Sequence, residues 1–432
     1  MIAFPHRFHR IAIAIAFLAI SFPTRLGGQH RGAYLAGLND AAGASTESQS
    51  RHKLDWNGLQ FANQSGSNEL RIHGYFQADG RFFGTNLKDR SKAVLLFRRV
   101  RPLVEGVLAN RLEFRFMPDF GEGKSVVQEV FVNYLFGSAA SLEIGKFKTP
   151  IGLEVLRADR DNTFVERSTA SDLFPVRDLG AQLAGSLQDG ALHYALGFFS
   201  GTEDGSNAKF EWTGSKEGVA RIFYEPFTGK HDAPRPLGIG IAASSGFNHG
   251  VPPKFSTIGQ ETFFRYSSST LVDGQHRRWA PQASYFSGPL GLMAEYILSG
   301  ETLSAKDNRR YIANRGWDIA ASIMLSGDRN KFEGFKPAHP FALGEGRRHW
   351  GAWELALRHS DVVIDQLAFP NFADPGSSAK GARESAVGLN WLLNSHAKWV
   401  CNYEYTTFQK VRNTNPSLHT ERVVMAELQL SL

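Results

Sequence analysis

Arg98, Arg99 and Arg101 fall within four residues of one another, and Arg111 and Arg115 follow shortly after. A guanidinium is permanently charged and carries five N–H donors in a planar fork, so several facing one space attract and hold anions. Asp79, Glu105 and Glu113 lie at matching spacings, and pairing with them would turn the same arginines into struts. Lys148 and Arg160 are two further cations placed to meet an anion. Glu166 and Arg167, adjacent and opposite in charge, read as anchors that hold a loop to a wall.

Catalytic chemistry finds no comparable support. Residues 116–125 approach a phosphate-binding loop, but Pro118 occupies the first glycine position and a strand pattern follows where a helix is required. The chain has no Cys-x-x-Cys, His-Glu-x-x-His or Gly-x-Ser-x-Gly. Asp159 and Asp161 with Thr163 resemble the start of a calcium loop without its glycine or closing glutamate. The histidines lack metal-ligand spacing. No cofactor, metal or nucleic-acid partner is expected.

These side chains need elements to aim them. In 70–83 one face reads Leu70, Ile72, Gly74, Phe76, Ala78, Gly80 and Phe82, the other Arg71, His73, Tyr75, Gln77, Asp79 and Arg81. Successive strand residues point to opposite sides, so such a segment has one apolar and one charged face. Sixteen segments of this kind start near 70, 94, 110, 126, 141, 179, 191, 217, 237, 277, 290, 315, 351, 383, 397 and 421. Short turns (109–110, 188–190, 287–289, 394–396) alternate with long polar connections (84–91, 148–178, 201–216, 247–276, 299–314, 362–382, 409–420). Trp350, Trp353, Trp391, Trp399, Tyr403 and Tyr405 sit near segment ends, as in interfacial girdles. This predicts an all-β fold, a transmembrane antiparallel β-barrel of 16 strands over 69–432. The connection 326–350 is longer than the alternation of short and long predicts.

Residues 1–28 carry Arg7 and Arg10, a short apolar run and a small-residue exit, which describes a secretory signal peptide. With Arg7, Arg10 and Arg25 removed, the formal charge falls from +6 to +3. Residues 29–68 read as a flexible periplasmic lead-in. Cys401 is the single cysteine, so no internal disulfide can form.

The stretches FRRVRP (97–102), FRFMPDFGEG (114–123), EIGKFKTPIGLE (143–154), FVERS (164–168) and FPVRDLGAQLAG (174–185) resemble the phosphate-selective porin O and P family. GQETFFRY (259–266) and WGAWELALR (350–358) continue the resemblance, which covers nearly all of the chain after about residue 70. It implies a sixteen-stranded outer-membrane barrel, a homotrimer, with a long third loop, here 148–178, folded into the pore. It also implies an arginine ladder matching Arg98 and Arg99. The family's lysine after the Gly-Leu-Glu stretch falls on Val155, a nearby basic position on Arg160, and an acidic position on Gln128 beside Glu129. Loop 148–178 holds five bases and six acids, so it is not a basic funnel.

The expected function is passive diffusion of small inorganic anions across the outer membrane. Arg98, Arg99, Arg101, Arg111, Arg115, Lys148 and Arg160 are the expected pore lining, and outer-membrane lipid is the surrounding partner. Arg98 has the wrong parity for the lumen on a regular strand, so a bulge or a rim position is required. Two rival readings are an outer-membrane barrel enzyme of the lipase or protease type and a non-conducting envelope scaffold.

Overall fold

A computed structural model describes residues 51–55, 58–84, 93–201, 214–226, 236–334, 336–344, 347–411 and 420–432. The expected signal peptide, 1–28, and residues 29–50 of the expected lead-in, 29–68, lie outside the described residues. Sixteen strands carry the alternation: β1 (Glu69–Phe83), β2 (Ala93–Leu108), β3 (Leu112–Asp119), β4 (Val126–Gly137), β5 (Ala140–Lys148), β6 (Arg177–Leu187), β7 (Leu192–Phe199) and β8 (Lys216–Tyr224) form the first half. The second half is β9 (Leu237–Gly250), β10 (Leu271–Ser287), β11 (Leu290–Ala305), β12 (Asn308–Met324), β13 (Ala352–Val363), β14 (Gly381–Leu392), β15 (Ala397–Gln409) and β16 (Glu421–Ser431). Each pairs antiparallel with the next, and β16 returns to β1 with Val423 opposite Phe83 and Ser431 opposite Tyr75. Closure leaves no sheet edge along this seam.

The two faces differ as the pattern requires. Outside, Leu95, Phe97, Ile144, Leu196, Ile222, Leu357 and Leu389 are exposed; inside, Gln77, Arg99, Glu143, Arg358, Asn402 and Glu427 are buried. Long connections lie at one end of the barrel and short turns at the other, apart from the tight turn after Ala305 and the long connection 325–351.

One expected loop is strand instead. Residues 299–314 belong to β11 and β12, which pair down to Ala305 opposite Asn308 across a two-residue turn. Here the pattern inverts: Leu303, Ala305 and Ile312 point inward and are fully or almost fully buried, against Phe264, Tyr266 and Val272. The loop end of the barrel is thus filled by an apolar core, to which connections 149–176, 251–270 and 364–380 contribute Phe174, Phe263 and Phe372.

Two further segments depart from expectation. Within the expected lead-in, Arg51–Asp55 and Gly58–Ala62 form a hairpin that adds to β1, Leu59 opposite Ile72. The long connection 325–351, at the turn end, carries a small hairpin (Ala342–Gly344 with Arg347–His349) and packs Phe341 on Trp391. Its Phe332 packs, with Phe286, against the cluster formed by Leu153, Phe223 and Met293. A Cβ at Gly334 would come within 2.7 Å of the Asp161 side chain, and its φ of +80° also favours glycine. This connection therefore reaches up to meet loop 149–176, which accounts for its length.

Candidate functional site

Arg98 and Arg99 both reach the lumen side because β2 bulges between them. Gln77 pairs with Arg99 and Ala78 with Phe97, so Arg98 is the extra residue. A bulge re-aims a side chain that regular pairing would send to lipid, where a mid-depth arginine costs about 2–4 kcal/mol. Asp119 supports the bulge: its Oδ1 accepts from the backbone of Val100 (3.1 Å) and Gly121 (2.9 Å), while Oδ2 accepts from Arg101 Nε at 2.7 Å. Gly121 has to be glycine, since a Cβ there would lie 2.4 Å from the Arg98 carbonyl oxygen.

Loop 149–176 crosses the lumen and is tied to both walls. On the first wall Glu166 accepts from Arg81 (2.7 Å) and takes the Arg98 fork at 2.6 and 3.1 Å, with Arg99 at 3.6 Å. Burial opposes its charge, but the guanidiniums, Arg98 first, overcome this and hold its carboxyl at about 2. Asp159 is gripped by Arg101, Arg167 and Arg177, which together hold its carboxyl well below the ordinary range against full burial. Across the lumen, Glu384 accepts from the backbone of Thr169 (3.0 Å), and Lys398 and Asn390 donate to the carbonyls of Asn162 and Thr163.

Between the first wall and the loop lies a cavity of about 230 Å³. Arg98, Arg99, Arg101, Arg167, Arg177 and Lys124 line it, against three carboxylates, Asp119, Glu122 and Asp159. Gln128 completes the lining, and its Oε1 has no hydrogen-bond partner among the described residues. The lining thus holds a surplus of positive side chains, whose field low-dielectric walls focus.

The far wall is acidic. Fully buried Arg358 meets Glu384 (2.8 Å), Glu154 (3.3 Å) and Glu404 (3.8 Å). Oxygens of Glu154, Glu295 and Asp318 lie within 4.8 Å of one another, a grouping that by residue type could take a cation. Most of those oxygens are already engaged: Leu153 and Glu154 donate backbone N–H groups to Glu295, and Ser168, Ser171 and Arg358 donate to Glu154. Guanidiniums on β1, β2 and β6 thus face carboxylates on β11–β15 across the inserted loop.

The expected lining residues separate on this map. Arg98, Arg99 and Arg101 line the cavity. Arg115 lies behind it, bound to Glu105 (2.6 Å) and Glu129 (3.2 Å). Arg111 is corrected: it occupies the exposed turn 109–111 at the opposite end of the barrel, because β2 delivers its last residues there. Lys148 is corrected too; buried, it donates to the carbonyls of Leu156 and Arg157 and caps the loop's short helix. Arg160 stays outside the cavity with a half-exposed side chain, 3.9 Å from Asp161. Glu166 ties the loop to the wall, whereas Arg167 pairs with Asp159 inside the loop and also faces the cavity. Arg177 and Lys124 were not among the expected lining; the first opens β6 and the second ends a turn, and only the fold brings them together. Val155 is fully buried among Ile151 and Phe174, so this position faces the loop's core.

The sequence profile of "Phosphate-selective porin O and P" matches residues 69–432. No curated protein sequence matches the chain. Among solved structures, the outer membrane channel DcaP of Acinetobacter baumannii superposes with a TM-score of 0.56 at 7% identity, over 86% of this chain and 99% of that one. OmpT, an outer membrane protein of Vibrio cholerae, gives 0.53 at 11%, over 85% and 98%, and it is also described in a trimer form. The anion-selective porin from Comamonas acidovorans gives 0.52 at 10%, over 84% and 100%. At these identities the likeness is one of fold.

Proposed function

The chain belongs to the phosphate-selective porin O and P family and is an outer-membrane channel protein, and we propose that it conducts small inorganic anions in preference to cations. The observation that carries this reading is the cavity in which six cationic side chains meet three carboxylates beside the inserted loop. Arg98, Arg99, Arg101, Arg167, Arg177 and Lys124 attract the anion, and the loop carboxylates that pair with several of them keep binding weak enough for release. Conduction needs no bond making, so this reading assigns no catalytic residue. A homotrimer is part of the proposal.

Phosphate specificity is not assigned. A phosphate entering a narrow passage sheds water and needs charge-assisted hydrogen bonds in return. Here the best-placed guanidiniums are shared with Glu166 and Asp159, and Val155 offers none. Planar-bilayer recording with chloride, phosphate and a bulky anion in turn tests the reading: anion-selective steps with weak phosphate block are expected, and cation-selective steps would refute it.

A second reading, the non-conducting envelope scaffold, is favoured by one observation. Loop 149–176 is bonded to both walls, and connection 325–351 meets it from the turn end. That reading predicts no current steps at all.

A further inference from the structure

The outer face of the barrel carries charge on one flank alone. On β1–β7 the positions of outward parity are apolar among the described residues, apart from Lys146, Lys148 and Arg177, all three of which are buried. On the other flank, four alternate strands each present an outward arginine near the loop end: Arg277 on β10, Arg315 on β12, Arg383 on β14 and Arg422 on β16. All four are exposed.

Their height is fixed by aromatic neighbours. Trp279 is the next outward residue below Arg277, and Trp317 the next below Arg315. Arg422 lies over the Tyr405 ring at 5.6 Å, and Arg383 pairs with Thr407, the outward residue just above that tyrosine. Tryptophan and tyrosine mark the level where hydrocarbon gives way to headgroups. An outward arginine costs about 2–4 kcal/mol at mid-depth but about 0–1 near the interface, so this tier sits where guanidiniums are tolerated. Two acids share this face: Asp361, 3.0 Å from Arg383, and Asp273, two outward positions above Arg277, which is 3.0 Å from His249 and 3.9 Å from Arg309. A row of spaced guanidiniums just above an aromatic belt is complementary to anionic oxygens held at headgroup height.

We propose that Arg277, Arg315, Arg383 and Arg422 form a binding tier for the phosphate groups of a phosphorylated glycolipid in the outer leaflet. Planar forks suit phosphate, and each basic residue near an anionic surface adds attraction that salt weakens. The tier is separate from the luminal cavity, since its residues point away from the lumen.

The test uses the full barrel refolded in neutral detergent. Purified lipopolysaccharide, intact or chemically dephosphorylated, is titrated against the unaltered protein and a variant with all four arginines changed to glutamine. Folding of each is confirmed by its heat-dependent mobility shift; if the fourfold variant does not fold, the pairs Arg277→Gln with Arg315→Gln and Arg383→Gln with Arg422→Gln replace it. The expected results are binding of the intact lipid weakened by at least about tenfold in the variant, and weak, equal binding of the dephosphorylated lipid to both proteins. Equal affinity of variant and unaltered protein for the intact lipid would overturn the proposal. So would tight binding of the dephosphorylated lipid, or full displacement by millimolar inorganic phosphate, which would assign the tier to free anions.

Discussion

Arg98 grips Glu166 with a two-point fork, Nε to Oε1 at 2.6 Å and Nη2 to Oε2 at 3.1 Å, across a lumen that regular pairing would have kept Arg98 from reaching. This contact joins the β2 bulge to the inserted loop. Replacing Glu166 with glutamine leaves Arg81, Arg98 and Arg99 without their shared counter-charge. Breaking a buried ion pair on one side costs about 3–5 kcal/mol. Glu166→Gln should therefore lower the unfolding temperature of the barrel and add open-channel noise; an unchanged melting profile would mean the loop is held by its other contacts alone.

The same contact sets a pH limit. Glu166 has its carboxyl lowered from 4.5 to about 2, so its stabilising share is fully present above 4.5 and is lost as pH falls through about 2. Channel noise should stay constant from neutral pH down to about 5 and rise only below about 3. A rise already near pH 5, in single-channel records, would show that Glu166 is not held by the three guanidiniums as described.

Restoring the family's ammonium as Val155→Lys should fail to create a phosphate site. Val155 is fully buried against apolar neighbours, and an unpaired buried charge costs several kcal/mol. Loss of heat stability without stronger phosphate block is expected. Gln128→Glu is the more informative change, because it adds a carboxylate to the cavity lining at a side chain with an unpartnered oxygen. It should reduce the anion-to-cation permeability ratio; an unchanged ratio would place the cavity off the ion path.

Connection 325–351 invites a fourth test. Phe332 packs against the apolar cluster that includes Leu153 of the inserted loop, so Phe332→Ala should loosen the lumen from the turn end. Larger single-channel conductance with little change in ion preference is expected. No change in conductance would mean that this connection does not narrow the path.

Strand after strand was legible because one face meets lipid and the other a polar interior, and a period of two survives any loop length. The exception, 299–314, failed for a physical reason. There β11 and β12 carry apolar Leu303 and Ile312 inward onto a loop core and place Thr302, Ser304 and Arg309 outward, so the sides are exchanged. In the site, the parity of Arg98 left a bulge or a rim position, and the strand carries the bulge. Lys148 and Arg111 misled because charge alone does not tell a helix cap or an end turn from a lumen wall. The convergence of Arg177, Arg167 and Lys124 depends on where a loop of nearly thirty residues folds, which no local spacing encodes.

An anion-preferring path past the arginine-lined cavity sets the sign of the reversal potential of single channels in a potassium chloride gradient. The expected potential has the sign of chloride preference and moves toward zero in Arg99→Gln combined with Lys124→Gln, which remove two positive charges from the lining. A reversal potential with the sign of potassium preference, or one that both substitutions leave unmoved, would contradict it.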